Sequence, residues 1–325
     1  MEEKIDLVVD RDTATRLDVF VSMHLSLSRS RAARLVGQGR VLVDGAMKRP
    51  SFRLKPGMHV FGAWEKEEEA GVLSATESTL DIVYEDPWIV VVNKPAGTVV
   101  HPGAGTGGDT LVNALLARYP EIGTVGAPGR PGIVHRLDRL TSGVMVVART
   151  GQAHAVLSAA FKAHAHRREY LAVCYGRMPG KTGTIETFMQ RNPKVRTRMT
   201  SRSGQGRRAV THWEVLTEWQ EFSLLRLRLE TGRTHQIRVH LSDAGHPVAG
   251  DPVYGGRRRA GSVAGTRLRT YVKGLGRQML HAAVLGIRHP ETGEYMEFTC
   301  DMPDDMKSFV AVLDAAGQES CLDNP

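Results

Sequence analysis

From Leu80 onward the chain is a succession of short apolar runs: LDIVY, WIVVVNKP, GIVHRLD, VMVVAR, YLAVCYG, VTHWEVL, SLLRLRLE and EYMEFTC. Leu225, Leu227 and Leu229 alternate with Arg226 and Arg228, the two-residue period of a strand with one buried face. Helical patterns are fewer, at 109–118, 152–164, 234–244 and 303–315. In the third, Ile237, Leu241 and Ala244 share one face and Gly245 supplies the stop. Strands that outnumber helices without regular alternation predict an α+β fold, not repeated βαβ units.

The first 60 residues read differently. Two short helical patterns, 16–25 and 29–37, precede Val41-Leu42-Val43, an Asp44-Gly45 turn that signals a hairpin, and an extended stretch near 58–61. The acidic, Gly-, Ser- and Thr-containing run at 64–79 has no apolar period and suits a linker. The expected organisation is a small module at 1–62, a linker at 63–79 and a large domain at 80–325. No fixed-period repeat points to a solenoid or propeller.

A content of 41% hydrophobic and 24% charged residues fits a globular chain with a core. The apolar runs fall far below the roughly 20 residues of a membrane-spanning helix. The amino terminus has neither signal-peptide nor transit composition, so a cytoplasmic location is expected. Cys174, Cys300 and Cys321 are scattered and form no CxxC pair, which argues against a disulfide framework or a thiolate zinc site.

With 43 Lys and Arg against 35 Asp and Glu, the net charge is +8. The positive residues cluster in two acid-free stretches, 191–208 and 255–290, read as mobile basic loops. Arg29, Arg31 and Arg34 add a third cluster on a predicted helix. One basic run is ordinarily a solvated face; three separated clusters favour a polyanionic partner such as nucleic acid. A membrane surface is disfavoured because no basic stretch carries an apolar face with aromatic anchors.

The segment 131–149, PGIVHRLDRLTSGVMVVAR, places Asp138 between two strand-like runs, just before Thr141-Ser142-Gly143. A carboxylate there can cap a turn, or it can do chemistry from a well-held loop. HRLDRLTSG resembles the signature of the pseudouridine synthases that modify large-subunit ribosomal RNA. VVNKPAGTVVHPG at 91–103, REYLAVCYG at 168–176, LETGRTHQIRVHLSDAGHPVAGDPVYGG at 229–256 and QMLHAAVLGIRHPETG at 278–293 resemble further family segments in family order. Residues 15–60 resemble an RNA-binding module first known from a small-subunit ribosomal protein. Leu140 departs from the family, where Asp often follows HRLDR or HRLDK.

The resemblance implies a mainly antiparallel mixed-sheet catalytic domain, large-subunit ribosomal RNA or its precursor particle as partner, and no cofactor. It makes Asp138 the catalytic residue and Arg233 its ion-pair partner. Tyr170 becomes the residue that stacks on uracil and assists proton transfer. Arg136 becomes a wedge that fills the gap left by the flipped base, and Ile237 an apolar contact to that base. A core role for Tyr170 and Ile237 and a phosphate-binding role for Arg233 stay open.

No metal is expected, because His235 and His240 are five apart and no HExxH occurs. The glycine run at 103–110 lacks the phosphate-loop order. Three alternatives remain at this level: a non-catalytic ribosome-assembly factor, the same chemistry on transfer RNA, and a hydrolase pairing Asp138 with Glu169 or Glu230.

Overall fold

The computed structural model describes residues 2–10, 15–25, 27, 29–65, 75–76, 78–102 and 109–322. Most of the expected linker and nearly all of the glycine run lie outside them. The chain divides into two compact units, Met1–Val72 and Leu73–Pro325.

The first unit contains β1 (Glu2–Val8), α1 (Leu17–His24), α2 (Arg29–Gly37), β2 (Val41–Val43) and β3 (His59–Glu65). Its sheet has the order β1-β3-β2, antiparallel throughout. Leu17, Phe20 and Val21 of α1 and Ala32, Leu35 and Val36 of α2 are buried with Val41, Val43 and Val60 of the sheet. Strand β1 was not anticipated, because charges interrupt its short apolar clusters. It pairs along its whole length with β3, which runs past residue 62.

Asp44 and Gly45 both adopt positive φ, 49° and 77°, and Val43 and Ala46 exchange two 3.0 Å backbone hydrogen bonds across them. The predicted tight turn is therefore present. The hairpin is not, because the prolines at 50 and 56 break the returning arm, and β2 pairs with the later β3. In α2, Arg29 donates to the buried Asp18 of α1 at 3.1 Å, beside Arg16, which holds the same carboxylate at 2.9 Å. Arg29 thus ties two helices together. Arg34 is exposed and Arg31 half-buried on the same helix.

The second unit is built on one large sheet. Its strands are β4 (Ile82–Glu85), β5 (Ile89–Lys94), β6 (Ser142–Ala148), β7 (Arg167–Tyr175), β8 (Thr182–Arg191), β9 (Met199–Thr200), β10 (Arg207–Glu218), β11 (Phe222–Leu229), β12 (Leu280–Arg288) and β13 (Tyr295–Thr299). The order is β4-β5-β6-β12-β7-β11-β10-β8-β9, with β13 beside β12. Among the described strands of this sheet only the β6–β12 pairing is parallel; the others are antiparallel. The fold is thus α+β with a mixed, mainly antiparallel sheet.

Helices α3 (Leu111–Arg118), α4 (Gly151–Lys162), α5 (Gln236–Asp243), α6 (Gly256–Arg259), α7 (Thr266–Lys273) and α8 (Asp304–Leu322) complete the unit. Among the described residues no helix is long and apolar enough to cross a membrane. GIVHRLD forms no strand: residues 132–138 are irregular, with a single bridge from Ile133 to Val147.

The two basic stretches are ordered. Residues 191–208 carry the β8–β9 hairpin and the start of β10, and 255–290 carry α6, α7 and β12. Arg257, Arg259 and Arg269 donate to the carbonyls of Gly276, Gly245 and Val263, and Arg277 is clamped by Asp305 at 2.6 and 2.7 Å. These guanidiniums satisfy backbone and carboxylate acceptors, and composition alone does not separate that role from phosphate contact.

At the parallel contact, Gly143 has φ 120° and its Cβ position lies 2.1 Å from the carbonyl oxygen of Ala282. Gly143→Ala is expected to destabilise the protein by about 2–4 kcal/mol, through the forced φ and the backbone clash. A thermal melt unchanged from wild type would contradict this placement.

Candidate active site

Asp138 lies at the amino-terminal end of β6. The Thr141 amide donates to the Asp138 carbonyl at 3.0 Å, closing the loop on itself. The segments at 91–103 and 278–293 fasten it from both sides. Gly97 and Arg139 exchange hydrogen bonds at 2.8 and 3.0 Å, and Arg277 and Gln278 reach the Leu140 carbonyl and the Thr141 hydroxyl at 3.3 and 3.2 Å.

Lys94, fully buried, donates to the carbonyls of Pro95, Thr98 and Arg139 at 2.8, 3.0 and 3.2 Å. Three acceptors match the three hydrogens of an ammonium. Burial pulls this group's pKa down to about 7, against the charge of Asp138, with Arg277 lowering it further.

The carboxylate itself faces α5. Arg238 Nη1 donates to Asp138 Oδ2 at 2.9 Å. The rest of the guanidinium forks onto the fully buried Asp251, Nε to Oδ2 at 2.7 Å and Nη2 to Oδ1 at 3.0 Å. Asp251 also accepts from the amides of Val253 and Tyr254 at 2.8 and 3.0 Å. Burial alone would raise the Asp251 carboxyl; the hydrogen bonds and charge of Arg238, with those two amides, hold it below the ordinary range. Burial likewise opposes the charge on Arg238, and the two aspartates outweigh it.

His235 starts α5 at φ 58° with its Nε2 3.8 Å from Asp138. Its Nδ1 is 2.7 Å from the Tyr254 hydroxyl, which also accepts from the Met199 amide at 2.8 Å. Burial lowers the His235 pKa, with Asp138 opposing and Arg238 assisting, so the ring is neutral near pH 7 and no second cation faces Asp138 from this side.

A pocket of about 150 Å³ opens on this carboxylate, lined among others by Arg136, Asp138, Arg168, Tyr170, Arg233 and Ile237. It is smaller than the roughly 300 Å³ and above of drug-sized sites, a volume for one flat ring. Tyr170 is 8% exposed. Its hydroxyl has no hydrogen-bond partner among the described residues, and the residue lines the pocket. Burial raises the phenol's pKa, Asp138 adds to this and Arg168 opposes it; the hydroxyl is neutral. Ile237, 4% exposed, lines the pocket and also joins the core. Arg136 is exposed at the rim.

Arg233 needs correction. It lines the pocket, but its Nε donates to the Arg208 carbonyl at 3.0 Å, and the cation on Asp138 is Arg238, five residues later. TGRTHQIR holds two arginines, and only the path of α5 decides which faces inward. Asp251, in GDPVYG, was not singled out at all. Glu169 and Glu230, the acids a hydrolase would need, pair instead with Arg167 and with His212 and Arg208. Neither lines the pocket, where Asp138 is the only acid.

Residues 88–243 match the family profile described as RNA pseudouridylate synthase, and residues 15–60 match the S4 domain. The chain is 42% identical over 327 residues, 99% of each protein, to a Vibrio vulnificus protein named ribosomal large subunit pseudouridine synthase D. This chain belongs to the RNA pseudouridylate synthase family.

A Chloroflexus aurantiacus protein named as an RNA pseudouridine synthase is 46% identical to the synthase over 307 residues, 94% of this chain and 92% of that one. Among solved structures, human RNA pseudouridylate synthase domain containing 1 superposes with a TM-score of 0.53 at 26% identity, covering 76% of this chain and 98% of that one.

Replacing Arg238 by Lys keeps the charge and loses the fork that spans two carboxylates. Single-turnover isomerisation is expected to fall about 10²–10³-fold, whereas Arg233→Ala is expected to stay within about 10-fold and to act mainly on RNA affinity. The reverse ranking in a rapid-quench assay would restore Arg233 as the partner of Asp138.

Proposed function

We propose that this synthase isomerises particular uridines of large-subunit ribosomal RNA, with Asp138 as the reacting carboxylate. Isomerisation of uridine in RNA is the activity of the family; the ribosomal substrate rests on the names of relatives such as the Vibrio vulnificus protein. The observation that carries the assignment of Asp138 is its place as the only acid of a base-sized pocket, held by a guanidinium whose other edge is fixed.

The reaction breaks the bond from C1′ to uracil N1, turns the base and rejoins it through C5. The electron pair of the broken bond leaves on uracil. C1′ is satisfied either by an Asp138 oxygen or by the pair of the C2′–H bond, whose proton passes to Asp138. Both routes need the carboxylate ionised and aligned, and Arg238 serves both. C5 then bonds to C1′ as Asp138 is released as the carboxylate or returns its proton to C2′, and the proton lost from C5, within reach of the Tyr170 hydroxyl, is balanced by one taken up at N1. The overall change is an isomerisation without net redox.

To enter so small a pocket, the uridine must swing out of its RNA structure at a cost of a few kcal/mol. Arg136 at the rim is placed to fill the vacated position. A wide groove beside the pocket, lined by Arg198, Arg202, Arg258 and Arg259, offers positive charge to the flanking strand. The S4 unit, with Arg29, Arg31 and Arg34 on α2, supplies a second RNA contact, and a cytoplasmic ribosome precursor is the setting in which we place it. An assembly factor without chemistry would not need the Asp138–Arg238–Asp251 arrangement.

Site-resolved pseudouridine mapping of protein-free ribosomal RNA and of assembled large subunits, with chelator present and no cofactor, tests this reading. Wild-type protein is expected to introduce new pseudouridines and Asp138→Asn none, with RNA affinity retained. No new site in ribosomal RNA on either form, or equal mapping with both proteins, would overturn the substrate or the residue respectively.

A further inference from the structure

Arg168 is a buried cation that the arrangement around Asp138 leaves unused. It is 8% exposed, lines the pocket, and makes no hydrogen bond or ion pair among the described residues; its Nε is sealed from solvent without an acceptor. Burying a charge without a partner is costly. Every other guanidinium buried to this degree here, Arg238 and Arg277, grips a carboxylate.

The surroundings give Arg168 no partner and also lower its pKa through burial, with Tyr170 opposing. His135, His164 and His166 lie near it, and all three are pushed toward neutrality, by burial first and Arg168 second, His135 to about 3 and His166 to about 4. His135 Nε2 accepts from the Val146 amide at 3.1 Å, which requires the unprotonated nitrogen. Gly232 makes room for the guanidinium, since a Cβ there would lie 2.5 Å from Arg168 Nη1.

Position along β7 says what the charge faces. Arg168, Tyr170 and Ala172 alternate onto one buried face of the strand. Arg168, Tyr170 and Asp138 all line the same pocket. A uridine held with C1′ at Asp138 in that pocket brings its base to the two side chains that β7 presents there, Tyr170 and the unpaired guanidinium of Arg168.

We propose that Arg168 is a further catalytic residue, the counter-ion of the uracil anion released when the glycosidic bond breaks. This deepens the reading above and rests on it. The electron pair of the N1–C1′ bond moves onto uracil and spreads to O2 and O4, where the N–H groups of Arg168 receive it. The same contact holds the detached base while it turns to present C5. The charge returns to Asp138 when C5 bonds to C1′, and the proton then lost from C5 is balanced by one gained at N1, so the product base is neutral and the cation is left unpaired for the next turn. An electrostatic donor waiting where charge develops stabilises the transition state more than the ground state.

The test compares wild type, Arg168→Met and Arg168→Lys in single-turnover cleavage of the N1–C1′ bond, on large-subunit ribosomal RNA transcribed with uridine or with 5-fluorouridine. Fluorine at C5 stabilises the departing anion and lessens the need for a counter-ion. Expected for Arg168→Met are a melting temperature no lower than wild type, RNA affinity within about threefold, and cleavage of uridine RNA slowed about 10²–10³-fold. The deficit should shrink at least about tenfold on 5-fluorouridine RNA, and Arg168→Lys should recover part of the rate.

Equal deficits on the two RNAs would overturn the proposal, as would a wild-type rate. So would an affinity loss with the salt slope reduced by about one, the mark of a phosphate contact. A melting temperature that falls in both variants would assign Arg168 to structure. If wild-type protein forms no pseudouridine, the functional reading fails and this inference with it; if only the Arg168 comparison fails, that reading stands.

Discussion

One guanidinium between two aspartates organises the catalytic unit. Arg238 cannot leave Asp138 without also leaving Asp251, and removing it would strand two carboxylates, one of them fully buried. Breaking such a pair costs on the order of 3–5 kcal/mol, so the fold and the Asp138 carboxylate are coupled through the same side chain. Asp251 is itself held by the amides of Val253 and Tyr254, and Tyr254 in turn lies beneath the guanidinium, its ring centroid 5.0 Å away. The chain therefore builds its site outward from the loop at 251–254, through α5, to the loop that carries Asp138.

The sheet supplies the other constraint. Its one parallel contact, β6 beside β12, brings the starts of two strands to the same edge, so the Asp138 loop and the 277–280 turn meet there. Antiparallel β7 then lies next to β12 and delivers Arg168 and Tyr170 to the same pocket. Four sequence segments far apart in the chain, at 91–103, 131–143, 168–176 and 229–256, converge for this reason. Each contributes backbone or side-chain groups to one loop or one cavity.

Much of this was legible before any coordinates. The two-residue alternation in SLLRLRLE and the helix ending at Gly245 appear where their periods place them. Asp138, Tyr170, Arg136 and Ile237 all reach the pocket. What sequence could not decide was direction. Arg233 and Arg238 have the same chemistry five residues apart, and a positive φ at His235 starts the helix that turns Arg238 inward and leaves Arg233 at the rim. GIVHRLD has the composition of a strand, but its backbone is spent on loop contacts. The basic stretch at 255–290 reads as mobile because its arginines find their acceptors only in carbonyls and acids brought near by folding.

The most direct measurement of the account is single-turnover isomerisation by Asp251→Asn, alongside its RNA affinity and thermal melt. Asp251 does not line the pocket, and its side chain reaches Asp138 through Arg238. Expected is a loss of about 10–100-fold in rate with RNA affinity near wild type, in protein that still melts cooperatively. A wild-type rate in that folded variant would contradict the central claim, because Asp138 would then need no fixed guanidinium to react.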